Sequence, residues 1–217
     1  MSSLIFHTEK EQAVIATDTL AVSPDGRAMS FTSKAFHVPH LRMLLAGTGC
    51  GGFLDRWLLH LNTQMIVQGI EALAVHAPAR LVSLWETYRK EYDVPEKRTT
   101  TVYHFGFSER TDTIKAYAYR SENGFVSEER TYGIGVKPEC SVPEPCNLPA
   151  DFRTMMDEQR KIQRAKPKSK RIYIGGEIIV HHLVKAGCST FSTGYFEDIV
   201  NDVKTIYSRF APDGSHS

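Results

Sequence analysis

Short apolar runs bounded by polar residues dominate the first fifty positions of the chain. Residues 4–6 and 13–16 are two such runs, and they predict an antiparallel pair of strands with Asp18 just after the second. After the turn signal at residues 24–26, residues 29–33 and 35–38 predict a strand pair or one kinked strand, with Lys34 within it. Residues 43–46 predict a buried strand that ends in a glycine-rich segment starting at Gly47.

The spacing of apolar residues becomes helical after residue 52. A first series ends at Pro78, and proline interrupts a helix because it lacks an N–H and its ring clashes with the preceding turn. A second series follows Pro78 and ends before Pro95. The two series therefore predict two long helices with these apolar positions: Phe53, Trp57, Leu58, Leu61, Ile66, Ile70, Leu73 and Val75 in the first, and Leu81, Leu84, Trp85 and Tyr88 in the second.

Strand patterns return in the second half of the chain, at residues 99–107, 113–119 and 124–132. The last of these follows Asn123-Gly124, a hairpin signal. Four prolines within residues 136–149 indicate a loop, and residues 152–162 predict a third helix. We interpret the basic residues 160–171 as a solvated helix end and connector rather than a site for an acidic partner. Strands at 172–174 and 177–184 and a helix within 196–210 complete the pattern.

This order of elements indicates the α+β class. Strands, two helices, more strands, a helix and further strands predict a four-layer α-β-β-α sandwich of two antiparallel sheets flanked by helices. With 217 residues, 41% of them hydrophobic, the chain is predicted to form a single domain over residues 1–217.

Composition excludes several classes of function. The 26 basic and 25 acidic side chains leave a net charge of +1, which gives no electrostatic basis for binding nucleic acid or a membrane surface. There is no run of ~18 apolar residues and no signal-peptide pattern. None of the four cysteines forms a Cys-x-x-Cys pair, so we expect no zinc, no other metal and no cofactor. We expect a soluble, cytoplasmic protein.

Ser2 carries the main chemical signal. Removal of Met1 would give Ser2 a free α-amine, and an amine of this kind titrates near pH ~7.7–8.0, which suits a general base. Asp18 follows Ser2 by sixteen positions, and Lys34 follows Asp18 by sixteen more. A serine with its own amine, supported by an aspartate and a lysine, is the minimal set of groups for an N-terminal nucleophile hydrolase.

These residues resemble the proteasome β-subunit family, which includes simpler bacterial peptidases. The resemblance rests on Ser2 in place of the usual threonine, on residues 13–18 (Ala-Val-Ile-Ala-Thr-Asp), on Lys34 and on Ala46-Gly47-Thr48 before the first long helix. It is specific over about the first sixty residues, and from there to Arg130 only the element order matches.

The resemblance implies a fold, an activity and a set of site residues. Ser2 would attack an amide carbonyl, Lys34 would lower the pKa of the Ser2 hydroxyl and amine, and Asp18 would hold Lys34. The Gly47 N–H would donate to the developing oxyanion. The family also implies assembly into a homo-oligomer, and it leaves open whether an ATP-dependent unfoldase is a partner.

Downstream positions differ from the family pattern and motivate an alternative. Gly133-Ile134-Gly135 lacks the usual serine, and Arg171 and Ile174 stand where an aspartate and a serine are expected. Those polar groups normally support the amine of the nucleophile. The alternative is therefore a catalytically inactive subunit with an assembly or binding role. If the chain is an enzyme, its substrate could be a peptide or a small amide.

Overall fold

A computed structural model describes residues 2–23 and 25–208, and this part of the chain contains twelve strands and four α-helices. The α+β class is thereby confirmed. The helices are α1 Phe53–Thr63, α2 Ile70–Glu91, α3 Phe152–Arg164 and α4 Ile199–Tyr207. None of these described helices has both the length and the apolar character needed to cross a membrane.

The strands form two five-stranded antiparallel sheets and one two-stranded sheet. The first sheet has the order β10-β1-β2-β11-β12, the second has the order β5-β6-β7-β8-β9, and β3 pairs with β4. The strands are β1 Leu4–Thr8, β2 Gln12–Asp18, β3 Leu20–Val22, β4 Ala28–Phe31, β5 Ala35–Val38, β6 Met43–Thr48, β7 Thr101–Phe107, β8 Ile114–Arg120, β9 Glu128–Arg130, β10 Gly133–Lys137, β11 Glu177–Val184 and β12 Gly187–Tyr195.

Strand β1 shows how the first sheet is built into the core. It pairs with β2 on one side, with Leu4 opposite Thr17, and with β10 on the other, with Leu4 opposite Lys137. Alternate residues of a strand face opposite sides of the sheet. Leu4 and Phe6 accordingly pack in one apolar cluster, whereas Ile5 packs in another.

Three apolar clusters account for most of the buried side chains. One joins α1 and α2 to the second sheet, with Trp57 and Leu81 packed near Val102. Another contains residues of both five-stranded sheets, among them Phe6 and Phe105. The third joins the first sheet to α3; its members are Ile5, Val14, Ala16, Phe152, Met155, Met156, Ile174, Ile178, Val180 and Phe196.

The boundary between the two predicted long helices was placed wrongly. Helix α1 ends at Thr63, and Pro78 lies inside α2. A proline inside a helix costs about 3 kcal/mol, but Leu73, Ala77 and Leu81 on the same helix are fully buried and hold it against the second sheet. Ile66, which was included in the first helical series, lies between α1 and α2 and is 99% exposed.

Some strand predictions also need correction. The segment 29–33 contributes β4, which pairs with β3, whereas β5 pairs with β6. The segment 124–132 contains only the short β9, and β10 begins at Gly133 and extends through residue 137, into the predicted loop. Residues 172–174 form no strand, and β12 was not predicted. Residues 209–210 of the predicted last helix lie outside the described residues.

Candidate functional site

Asp18 is a completely buried carboxylate at the end of β2. Its Oδ1 accepts hydrogen bonds from the backbone N–H of Ser3 and from Lys34 Nζ, each at 2.9 Å. Its Oδ2 accepts the backbone N–H of Gly175 at 3.1 Å. A carboxylate is tolerated in such a position only when an opposite charge and hydrogen-bond donors replace water. Asp18 therefore joins the start of β1, Lys34 and the loop before β11.

Lys34 lies directly before β5, and its side chain is only 8% exposed. Besides Asp18, its Nζ donates to the carbonyl of Leu20 at 2.7 Å. A lysine ammonium carries three protons, so these two acceptors in the described part of the chain leave one proton for a further partner. Burial lowers the pKa of Lys34 from its ordinary 10.5, and the charge and hydrogen bond of Asp18 oppose that shift.

Ser2 borders the same cavity as Lys34 and is partly exposed. The next residue, Ser3, is fully buried and is held at two atoms. Its N–H donates to Asp18, and its Oγ donates to Gln159 Oε1 at 2.5 Å. Because consecutive Cα atoms are only ~3.8 Å apart, these bonds keep Ser2 close to the ion pair. Met1 lies outside the described residues.

The cavity has a volume of about 610 Å³, which is within the range of small-molecule sites. Its wall includes Ser2, Lys34 and Gly47, together with the turn that follows β6 and the segments 92–98 and 168–173. The structure thus brings three of the four predicted site residues to one cavity, and the fourth, Asp18, contacts Lys34 behind it.

Gly47 lies on β6, and its backbone N–H donates to the carbonyl of Lys34 at 3.2 Å. An oxyanion at this position would have to share that N–H or displace the carbonyl. The following turn, residues 48–52, also borders the cavity and contains Gly49 with a φ of +112°. A side chain on Gly49 would place Cβ 2.3 Å from the Thr99 carbonyl oxygen, so this turn requires glycine.

The three positions that differ from the family pattern have distinct surroundings. Ile174 is buried in the cluster with α3, and Ile134 packs against the same cluster. Arg171 borders the cavity and donates from Nη2 to the carbonyls of Arg164 and Lys166, at 2.6 and 3.1 Å. Hydrocarbon side chains at positions 134 and 174 cannot supply the polar support that the family places there.

Sequence reasoning missed four groups that build the site: Ser3, Gln159, the N–H of Gly175 and the carbonyl of Leu20. Two of these groups, the N–H of Gly175 and the carbonyl of Leu20, are backbone atoms. Nearly every residue has the same backbone atoms, so the residue type at these positions does not indicate their role. Gln159 is 156 residues from Ser3, and it is one of three polar residues buried on α3, with Arg160 and Gln163, so its place among the apolar positions of the helix did not single it out.

Over residues 2–23 and 25–208, no group of three or more histidine, cysteine, aspartate or glutamate side chains is arranged to hold a metal ion. Comparisons of the sequence with models of known protein families and with curated proteins gave no match.

Proposed function

We propose that this chain is an N-terminal nucleophile hydrolase of the proteasome β-subunit type, which cleaves peptide or other amide bonds through an acyl-enzyme on Ser2. The observation that carries the proposal is the buried Asp18–Lys34 pair, 2.9 Å between Oδ1 and Nζ, at a cavity that Ser2 also borders. A buried ion pair is often no more stabilising than apolar residues of similar volume. A role in catalysis explains why the protein has a buried ion pair at a cavity that Ser2 also borders.

The packing supports a four-layer α-β-β-α sandwich as the scaffold. One apolar cluster lies between the helices α1 and α2 and the second sheet, and another contains residues of both five-stranded sheets. A third cluster joins the first sheet to α3. This sequence of contacts is the one expected of two stacked sheets with helices on their outer faces.

The first chemical step is acyl transfer to Ser2. Cleavage of the peptide bond before Ser2 would give the residue a free amine. That amine takes the proton of Ser2 Oγ, directly or through a water molecule, as Oγ forms a bond to the amide carbonyl carbon. The tetrahedral intermediate then collapses, the C–N bond breaks, and the departing amine leaves with the proton that the Ser2 amine had taken. An ester on Ser2 remains.

The second step is hydrolysis of the ester by water. The Ser2 amine takes a proton from the water as the water oxygen bonds to the acyl carbon. The bond between the acyl carbon and Ser2 Oγ then breaks, Oγ regains the proton from the amine, and the carboxylic acid is released. In both steps Lys34 supplies a fixed positive charge that lowers the pKa of the Ser2 hydroxyl and amine. Asp18 is a positioning residue, because it acts through Lys34.

Covalent labelling with a peptide epoxyketone tests the proposal, because this electrophile closes a ring only with a hydroxyl and a free amine on one residue. We expect an intact mass without Met1, and a mass gain equal to one inhibitor molecule, mapped to Ser2. The Ser2→Ala variant should not react. The matched control Ser33→Ala removes another serine of the same cavity and should react as the wild type does. A protein that has lost Met1 but forms no adduct would refute the proposal.

The second candidate is a catalytically inactive subunit of the same fold with an assembly or binding role. The apolar surroundings of Ile134 and Ile174 and the bond from Gly47 N–H to the Lys34 carbonyl favour it. In that case the protein should keep Met1 or fail to react, and sedimentation should show a defined homo-oligomer or a complex with a related active subunit.

A further inference from the structure

Positive charge is concentrated around the cavity. Its wall contains five cationic side chains and two carboxylates, although the whole chain is nearly neutral at +1. The cationic side chains are those of Lys34, Lys97, Arg98, Lys168 and Arg171, and the carboxylates are those of Asp55 and Asp93. The excess is therefore local to the cavity.

Four of these cations have no carboxylate partner among the residues that the structure describes. Lys34 is bound to Asp18, but within the described ranges none of Lys97, Arg98, Lys168 and Arg171 forms a salt bridge with an aspartate or glutamate. Like charges that gather at a concave surface repel one another and raise the local concentration of anions. The arrangement is therefore suited to an anionic ligand.

Arg171 gives a second and independent indication. Its Nη2 is satisfied by two backbone carbonyls, but its Nε is buried and has no hydrogen-bond partner among the described residues. A buried donor without an acceptor costs ~1–3 kcal/mol, so native structures usually satisfy it. Arg171 borders the cavity, and its Nη2 contacts to Arg164 and Lys166 hold the guanidinium there, so a small shift of this side chain would bring its unpaired Nε to an acceptor on a bound ligand.

Arg98 and Cys50 both border the cavity. Burial raises the pKa of Cys50, and the hydrogen bond with Tyr88 and then the positive charge of Arg98 oppose that rise. Lys168 lies in the basic segment 160–171, which we interpreted from the sequence as a solvated connector. Lys168 is exposed, as expected of a solvated connector, and both Lys168 and Arg171 border the cavity.

We propose that the cavity binds an amide whose carboxylate, close to the scissile bond, is held by Arg98, Lys168 and Arg171. Guanidinium groups present planar pairs of donors that match the two oxygens of a carboxylate. The identification of the ligand as an amide rests on the proposed hydrolase function. The binding of a carboxylate by these cations does not depend on whether Ser2 reacts. An acidic side chain of a peptide and the carboxylate of a small amino-acid amide offer the same group.

Calorimetric titration of the Ser2→Ala variant separates binding from chemistry. The probes are two peptides that differ only in Glu or Gln before the amide bond, N-acetylglutamate amide and inorganic phosphate. We expect the Glu peptide to bind roughly tenfold more tightly than the Gln peptide in ~0.05 M salt, and the difference to shrink in ~0.3 M salt. N-acetylglutamate amide binding as tightly as the Glu peptide would identify the small amide as the source of the carboxylate.

Neutral substitutions of cations define where the carboxylate binds. The double variant Arg98→Gln/Lys168→Gln, made in the Ser2→Ala background, should lose most of the preference for the Glu peptide. The control Lys10→Gln, made in the same background, removes one positive charge rather than two. That charge lies on an exposed turn eight positions from Ser2 along the chain, so the variant should keep the preference.

Equal affinities for the Glu and Gln peptides would overturn the inference, and so would a preference that survives the double variant. Phosphate binding tighter than the Glu peptide would overturn the assignment to a carboxylate. Because the titration uses Ser2→Ala, none of these results depends on catalysis. Failure of the epoxyketone reaction would count against the proposed hydrolase alone.

Discussion

Substitution of Lys34 by methionine removes the positive charge from the candidate site while keeping a side chain of similar length. Asp18 then remains as a fully buried carboxylate whose partners in the described part of the chain are the N–H groups of Ser3 and Gly175. Loss of one partner from a buried ion pair typically costs ~3–5 kcal/mol, because the other charge is left uncompensated. We expect Lys34→Met to destabilise the protein by about this amount.

A double-mutant cycle separates the ion pair from the rest of the site. Asp18→Asn alone strands the Lys34 ammonium and should also cost ~3–5 kcal/mol. In Asp18→Asn/Lys34→Met no charge is stranded. The asparagine oxygen can still accept from Ser3, but its amide nitrogen faces the Gly175 N–H and leaves that donor unpaired, at ~1–3 kcal/mol. The coupling energy should therefore be about 3 kcal/mol or more in favour of the pair.

Urea denaturation followed by tryptophan fluorescence measures these free energies, because Trp57 and Trp85 are both buried against the second sheet. Amide hydrolysis is measured on the same samples. The double variant should recover most of its stability and yet remain at least ~10²-fold less active than the wild type, since it lacks the cation beside Ser2.

Two results would refute this reasoning. A cost below about 1 kcal/mol for Lys34→Met would mean that the ion pair is not buried as described. Wild-type activity in the double variant would mean that the Lys34 charge has no part in catalysis, and the proposed function would then lose its main support.

Three further predictions follow from buried groups and from one turn. Since burial lowers the pKa of Lys34, kcat/KM should fall as pH rises through a value below 10.5, and a flat profile up to pH 10.5 would contradict the role of its charge. Burial lowers the pKa of His104 to about 3, so only the unfolded chain gains a proton as pH falls below 6.5. Urea titrations should show a loss of about 2 kcal/mol between pH 7.5 and 5 that His104→Gln lacks, and an equal loss in that variant would contradict the assignment. Gly49→Ala should destabilise the protein by ~1–3 kcal/mol because of the positive φ and the Thr99 carbonyl, whereas Gly51→Ala, with no atom within 4 Å of its new Cβ, should change stability by less than ~0.5 kcal/mol. Equal effects of the two glycine substitutions in thermal melts would count against the described turn.

The sequence was most informative where local signals and packing agree. The runs at residues 4–6 and 13–16 lie in β1 and β2, which pair antiparallel as predicted. The contact between Asp18 and Lys34 is present, and it joins residues only sixteen positions apart. In this part of the chain each strand is apolar, short and bounded by polar or turn residues, so its extent can be seen without knowledge of its partners.

Predictions failed where distant contacts decide the outcome. A proline considered alone favours the end of a helix, and Pro78 was interpreted in that way. The buried residues around Pro78 nevertheless keep α2 continuous. Strand β12 is mostly exposed, so it lacks the apolar run that marks β11 beside it. Gly175 contacts Asp18 from 157 residues further along the chain, and Gln159 contacts Ser3 from 156 residues further along. No local sequence pattern indicates contacts over such separations.

The position of β1 inside the first sheet has a consequence for when the Ser2 amine can be formed. Ser3 is completely buried, and β1 is flanked by β2 and by β10, which is made only after residue 132 has been synthesised. In the folded protein Ser3 is bound to Asp18 and Gln159, and Leu4 is paired within the sheet, so these two residues are not available to the substrate cleft of an aminopeptidase. If Ser2 is the nucleophile proposed above, its free amine is expected to form between the emergence of the N-terminus and the pairing of β10. A protein purified with residues still attached to Ser2 should resist later trimming, so the processing capacity of the expression host would set the fraction of competent molecules.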